Sequence, residues 1–344
     1  MKRNSQTLSQ DLLQWFYENK RQMPWRETND PYKIWLSEVM LQQTQVATVI
    51  NYYNRFIERF PTIESLAKTP IDEVRKYWEG LGYYSRIKNF YEAVQTVHKD
   101  FNGQVPNDPK QFLNLKGVGP YTQGAVMSIA FNHPLPAVDG NVYRVYSRLD
   151  NDAFDIASAK ARLHFEEKVL EDMPEAAGDF NEALMELGAV ICTPKKPLCM
   201  LCPVQQHCES FEVGNVLERP VKLKKIKKRV EHYDVYLIEN DGELLIERRP
   251  DGLLASMFQF PMFDTETHIS NVESQLDMSL TLFNEPLMTL KHQFTHLTWH
   301  LTVYIAHTND KKKASQHWMS REEKSQLTFP TSMNKIYERY LSSL

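Results

Sequence analysis

The sequence predicts a chain of two domains: an all-α domain with a cysteine loop, followed by a smaller α+β domain. Three observations carry this. Apolar residues recur at helical spacing from the start to about residue 210. No alternating strand pattern interrupts them. Near residue 218 the character changes abruptly to a basic stretch and then to strand-rich sequence. A length of 344 residues suits two domains of ordinary size.

Leu8, Leu12, Leu13, Trp15 and Phe16 mark the first helical stretch, and Asp30-Pro31 opens another with a capping acid and a first-turn proline. Val46, Val49, Ile50, Tyr53, Phe56 and Ile57 repeat every three to four positions and stop before Pro61. Further helices are predicted at about 71–79, 85–99, 109–114, 120–131, 141–150, 158–172 and 179–191. Gly80, Gly82, Gly103, Gly117 and Gly119 punctuate them. Residues 1–217 therefore read as one helical domain, and 218–229 as a basic linker that either lies along DNA or is merely solvated. In residues 230–344, Val235–Glu239 and Glu243–Glu247 flank the turn signal Asn240-Asp241-Gly242. Leu301–Ala306 reads as another strand and Ser332–Leu341 as a closing helix.

Hydrophobic content of 42% and charged content of 24% are those of a globular protein. No apolar run approaches the ~20 residues of a membrane helix. Polar residues follow Met1-Lys2-Arg3, so a non-exported, cytoplasmic protein is expected. The net charge of −4 does not itself favour nucleic acid. DNA contact, however, needs only a local basic face, and backbone amides at helix ends also hold phosphates.

All four cysteines fall in Cys192-x6-Cys199-x2-Cys202-x5-Cys208. Four thiolates with one close pair suit either tetrahedral zinc or a cubane iron–sulfur cluster. Zinc sites favour two short pairs across a longer loop, so one compact loop tilts the choice toward iron–sulfur. His207 reads as a surface residue, and Lys195 and Lys196 make the loop basic. Gly117 and Gly119 permit a tight turn with exposed amides before a helix at Pro120, a nest for a phosphate oxygen. Alone, such a turn is commonly just a helix–helix connection.

This hairpin, then Val138-Asp139-Gly140-Asn141-Val142, then the four-cysteine loop, resembles the helix–hairpin–helix DNA glycosylases of the endonuclease III superfamily over residues 8–210. Within it, Leu36-Ser37-Glu38-Val39-Met40-Leu41-Gln42-Gln43-Thr44-Gln45, Gly80-Leu81-Gly82-Tyr83-Tyr84-Ser85-Arg86 and Phe294-Thr295-His296 resemble the adenine DNA glycosylase (MutY) family. The resemblance implies a [4Fe-4S] cluster on Cys192, Cys199, Cys202 and Cys208. It also implies a monomer, nucleoid-associated in a bacterium, acting on double-stranded DNA with adenine opposite 8-oxoguanine or guanine. The second domain resembles the Nudix fold but lacks its glutamate-rich catalytic helix after Gly252, which implies lesion recognition instead.

Adenine leaves readily only when a ring nitrogen is protonated, and the resulting oxocarbenium-like sugar needs a nearby anion. Two carboxylates with opposite duties meet both needs. The resemblance assigns Glu38, in an apolar helix, as acid and base, and Asp139 as stabiliser or transient nucleophile. Unaided, Glu38 would read as an ordinary helix glutamate and Asp139 as a helix cap. Tyr121 stands where lyase-competent relatives carry a Schiff-base lysine, and a phenol forms no imine. The resemblance further implies that Asn141 helps orient the water or Asp139, and that Trp25 and Arg26 help form the adenine pocket, with Glu182 on the exocyclic amine. Leu41, Gln43, Thr44, Tyr83, Gly117 and Gly119 are implied to bind DNA, with Gln43 and Tyr83 wedging around the opposite base. Tyr84 reads as packing. Phe294, Thr295 and His296 are implied to inspect oxidised guanine, with threonine where serine is usual. The rivals are an oxidised-pyrimidine glycosylase/lyase, a non-enzymatic iron–sulfur DNA-binding protein and a Nudix hydrolase. Tyr121 and the second domain disfavour the first, acids at 38 and 139 are superfluous to the second, and the missing box disfavours the third.

Overall fold

The computed structural model describes residues 5–223, 228–250, 252–283 and 285–344, and Lys224-Lys225-Ile226-Lys227 of the expected linker lie outside them. Two compact units emerge: Met1–Lys68 with Arg86–Lys225, and Thr69–Ser85 with Ile226–Leu344.

The helices in chain order are α1 (Ser5–Asn19), α2 (Pro31–Leu41), α3 (Val46–Arg59), α4 (Ile63–Ala67), α5 (Ile71–Trp78), α6 (Ser85–Asp100), α7 (Pro109–Leu113), α8 (Pro120–Phe131), α9 (Gly140–Leu149), α10 (Ala161–Asp172), α11 (Ala177–Val190) and α12 (Glu209–Val213). Their starts follow the sequence chemistry. Asp30 accepts from Tyr32 N ahead of Pro31, Asp108 caps α7 ahead of Pro109, and Thr62 and Ser65 form a reciprocal capping box on α4. In the first unit α2 is buried from Ile34 to Met40 and packs on α3 and α8. Helix α11 packs on α8, α9 and α1, with Leu184 and Leu187 set among Leu8, Leu12, Phe16, Val142 and Val145. Residues on α2, α8, α9 and α11 are thereby fixed relative to one another.

The second unit is built on a sheet of β1 (Arg229–Asn240), β2 (Glu243–Arg248), β3 (Phe258–Gln259), β4 (Met262–Asp264), β5 (Thr281–Leu282), β6 (Met288–Gln293), β7 (Leu297–His307) and β8 (His317–Met319). Helix α13 (Ile269–Leu276) lies between β4 and β5 in sequence, and α14 (Thr331–Leu341) ends the chain. The main path is β3-β2-β1-β7-β5, with β4 on β1, β6 on β7 and β8 on β2. β1 and β7 run parallel from Arg229↔Leu297 to Glu239↔His307. The β1–β2 turn places Asp241 and Gly242 at φ 51° and 77°, the left-handed pair that such a two-residue hairpin requires. Met333, Ile336 and Tyr340 of α14 pack on Val235, Leu237, Trp299 and Leu301.

The strand begins at Arg229 rather than near 235 because pairing with β7, not apolar alternation, holds its exposed first residues. β6 escaped the sequence reading for a similar reason: Met288–Gln293 alternates, but with Thr, Lys and His among its residues. The folding of Thr69–Ser85 with the second unit also had no sequence signal. Glu79 accepts from Phe329 N at 3.3 Å and Asn334 Nδ2 at 2.8 Å, and Lys76 Nζ donates to Leu327 O at 3.0 Å.

Candidate active site

Glu38 is only 5% exposed, inside the most buried stretch of α2. Burial pushes its carboxyl up to about 7. The Tyr121 hydrogen bond opposes that rise, the charges of Glu182 and Asp139 add to it, and Arg26 opposes it. Tyr121, in the first turn of α8, donates from Oη to Glu38 Oε2 at 2.7 Å and also approaches Met185 Sδ at 3.3 Å.

Asp139 caps α9. Oδ1 accepts from Asn141 N and Val142 N, both at 2.8 Å, and Oδ2 accepts from Asn141 Nδ2 at 2.8 Å. The plain reading of Asp139 as a helix cap is therefore met. Burial raises its carboxyl, opposed by these three bonds and by Arg144. Asn141 is itself oriented, since Arg144 Nη2 donates to its Oδ1 at 2.8 Å. Gly188 lets α11 approach here: a Cβ at that position would lie 2.6 Å from Asn141 Cβ.

Trp25 is buried edge-on against Tyr53, with ring centroids 5.4 Å apart. Its neighbour Arg26 donates Nε to Glu182 Oε1 at 2.8 Å and Nη2 to Glu186 Oε2 at 3.1 Å. Glu186 had not been singled out from the sequence, although its place one turn after Glu182 on a helix was visible. Glu182 and Arg26 both act on the Glu38 carboxyl, so these two lie within electrostatic reach of it.

Leu41, Gln43 and Thr44 lie at the C-terminal end of α2, with Gln43 exposed at φ 56°. Arg86, quoted in a motif but given no role there, holds this end. Its Nη1 donates to Val39 O, Met40 O and Gln42 O at 2.8, 2.9 and 2.6 Å. Gly117 sits at φ 76° with Asn89 where a Cβ would go, whereas a Cβ on Gly119 would meet nothing. The hairpin face beside α8 is open for a backbone to approach.

The four cysteines line one cavity together with Arg148, Val145 and Leu187. Burial raises the Cys202 thiol to about 12 and the Cys208 thiol to about 11. Four sulfurs ranged around one cavity are a donor set of the kind that holds an iron–sulfur cluster. Arg148, 1% exposed, donates to Cys192 Sγ at 3.3 Å, Thr193 O at 2.8 Å, Pro194 O at 3.1 Å and Val216 O at 3.0 Å. Arg144 Nε donates to Cys192 O at 2.7 Å. Lys195 and Lys196 are exposed.

In the second unit Tyr83, at φ 49°, meets Thr295 hydroxyl to hydroxyl at 2.5 Å. Thr295 and His296 are exposed between β6 and β7, while Phe294 packs edge-on against Trp299 with centroids 4.8 Å apart. Tyr84 is buried, and its hydroxyl accepts from Gly80 N at 2.9 Å.

Comparison with known proteins agrees with this architecture. Residues 36–170 match the helix–hairpin–helix superfamily of base-excision DNA repair proteins, 192–208 the iron–sulfur binding domain of endonuclease III, and 234–339 the NUDIX domain. The adenine DNA glycosylase of Rattus norvegicus is 33% identical, covering 96% of this chain and 77% of the relative. That of Buchnera aphidicola subsp. Schizaphis graminum is 30% identical over 96% of this chain and 97% of its own. A thermostable thymine-DNA glycosylase superposes with a TM-score of 0.54 at 30% identity, over 61% of this chain and 97% of that one. Endonuclease III in a non-covalent DNA complex shares the fold, with a TM-score of 0.52 at 22% identity over 62% and 99%. With an iron–sulfur binding loop matched at its four cysteines and relatives matched along nearly its whole length, the chain belongs to the adenine DNA glycosylase family, base-excision repair enzymes that hydrolyse N-glycosidic bonds.

Proposed function

We propose that this chain removes adenine mispaired with 8-oxoguanine or guanine by monofunctional hydrolysis, acting as a monomer on double-stranded DNA in a bacterial cytoplasm. The observation that carries the chemistry is the buried Glu38 carboxyl, held near 7 and bonded to Tyr121, with Asp139 in its field. An acid poised there is half-protonated at neutral pH, where general acid catalysis works best.

The extruded adenine takes a proton from Glu38 onto a ring nitrogen, and the electrons of the glycosidic bond pass into the purine as the bond breaks. Asp139 stabilises the sugar cation, its charge maintained by the bonds from Asn141 and Val142. Water then adds to the sugar carbon and gives its proton to the Glu38 carboxylate, restoring the acid. Tyr121 offers no amine, so no imine links enzyme and sugar. Trp25 and Arg26 wall the base pocket and Glu182 meets the exocyclic amine. Leu41, Gln43, Thr44 and the Gly117–Gly119 hairpin hold the strand, while Tyr83, Phe294, Thr295 and His296 examine the opposite base.

The four cysteines fit a [4Fe-4S] cluster, which when bound fixes the shape of their loop. Arg144 and Arg148 connect that loop to α9, and Asn141 carries the connection to Asp139. The test is adenine release from a duplex with adenine opposite 8-oxoguanine or guanine. Strand scission should appear only after alkali, with faster release opposite 8-oxoguanine. Scission without alkali, or a borohydride-trapped adduct, would refute the monofunctional reading, and equal rates would refute the selectivity.

A further inference from the structure

Glu182 and Glu186 stand one turn apart on α11, yet their carboxylates are used differently. Glu186 is saturated: Oε1 accepts from Arg21 N and Nε at 3.3 and 2.6 Å, and Oε2 from Arg21 Nη2 and Arg26 Nη2 at 2.9 and 3.1 Å. Glu182 accepts one bond, from Arg26 Nε to Oε1, and its Oε2 has no hydrogen-bond partner among the described residues. Arg26 is otherwise fully employed, with Nη1 on Arg21 O at 3.1 Å and its guanidinium 5.3 Å from the Phe16 ring centre.

The side chain of Glu186 is 1% exposed and that of Glu182 is 14% exposed. Burial works against both charges. At Glu186, Arg21 and Arg26 outweigh it and hold the carboxyl low, whereas at Glu182 burial prevails and the carboxyl rises. A guanidinium fork prefers to bind a carboxylate through both oxygens. Were Glu186 neutral, Arg26, already bonded to Glu182 through Nε, could turn Nη2 to the uncommitted oxygen of that same carboxylate.

We propose that Glu186 is a positioning residue: it draws two guanidinium groups to itself so that Glu182 keeps one carboxylate oxygen free for the exocyclic amine of adenine. This rests on the reading of Glu182 as the group that meets that amine.

The experiment compares single-turnover excision of adenine and of purine, which lacks the amine, from otherwise identical duplexes by the full-length protein. The adenine-to-purine rate ratio does not depend on the folded fraction, so a merely structural effect leaves it unchanged. Glu182→Gln should lower the ratio about tenfold, the scale of a charged hydrogen bond lost from the transition state. Glu186→Gln should lower it about as much, and the double variant no further. An unchanged ratio in Glu186→Gln, with Glu182→Gln still lowering it, would overturn the proposal alone. An unchanged ratio in Glu182→Gln would overturn the underlying reading and the proposal with it. Should Glu186→Gln not fold, Glu186→Asp serves instead, its carboxylate one methylene short of Arg26 Nη2. That nitrogen then turns to the uncommitted oxygen of Glu182, and the ratio should fall about threefold. No change in that variant would equally overturn the proposal.

Discussion

Tyr121 Oη donates to Glu38 Oε2 at 2.7 Å, and this bond opposes the burial that raises the Glu38 carboxyl to about 7. The tyrosine thus helps to set the proton affinity of the buried carboxyl. Excision that needs protonated Glu38 should decline as pH rises through about 7. Tyr121→Phe removes a bond that favours the carboxylate, so the alkaline limb should move upward. The move should be roughly one pH unit or less, since one hydrogen bond is worth about 1 kcal/mol. A limb that stays in place or moves down, read from single-turnover rates between pH 5 and 9, would contradict this.

The same carboxyl imposes a pH-dependent stability. Its folded value of about 7 lies above the ordinary carboxylate range, so between the two the unfolded chain gives up a proton that the folded chain keeps. Stability is fully present below the unfolded value and is lost as pH rises to the folded one, on the order of 3 kcal/mol in all. Glu38→Gln should therefore raise the melting temperature at pH 8 and leave it nearly unchanged at pH 4.5. Equal shifts at both pH values would argue against a protonated, buried Glu38.

Arg148 is the next point of test. Its guanidinium serves carbonyls on both sides of the cysteine loop and one cysteine sulfur. Arg148→Leu leaves those buried acceptors unpaired, at about 1–3 kcal/mol each. Purified wild type should hold about four irons per chain, and the variant should lose iron along with urea resistance. A variant that keeps full iron and an unchanged urea midpoint would show that the loop is held otherwise.

Much of the first unit was legible in the sequence because its signals are local. Proline and aspartate mark the starts of α2 and α7, and apolar spacing marks α3 and α11. Glu38, Asp139 and Tyr121 stood out through motifs, and the structure brings them into mutual contact or electrostatic reach. What escaped was non-local. Arg86 reaches back more than forty residues to the end of α2, and Glu186 matters only because Arg21 and Arg26 fold onto it. β6 and the start of β1 depend on β7, which no window of sequence contains.

Close packing of α11 on α9 gives a further test. A methyl at position 188 would lie 2.6 Å from Asn141 Cβ, so Gly188→Ala must displace Asn141 and with it the bond to Asp139. Excision should fall about tenfold or more, with a stability loss of about 1–3 kcal/mol. Full activity in a normally stable variant would mean that Asn141 does not orient Asp139.

Thr295→Ala should be mild. It removes one hydroxyl, worth about 1 kcal/mol, so the ratio of rates opposite 8-oxoguanine and guanine should fall about fivefold. Adenine excision opposite guanine should persist, because Glu38, Tyr121 and Asp139 all belong to the other unit. An unchanged ratio would remove Thr295 from recognition of the opposite base.

Proton transfer from Glu38 is put to the proof by Glu38→Gln on a duplex carrying adenine opposite 8-oxoguanine. Single-turnover excision and binding should be measured on the same preparation. Excision should drop by at least about a hundredfold, the usual contribution of a general acid, while affinity for the duplex stays within about threefold of wild type. Near-wild-type excision by the glutamine variant would contradict the account.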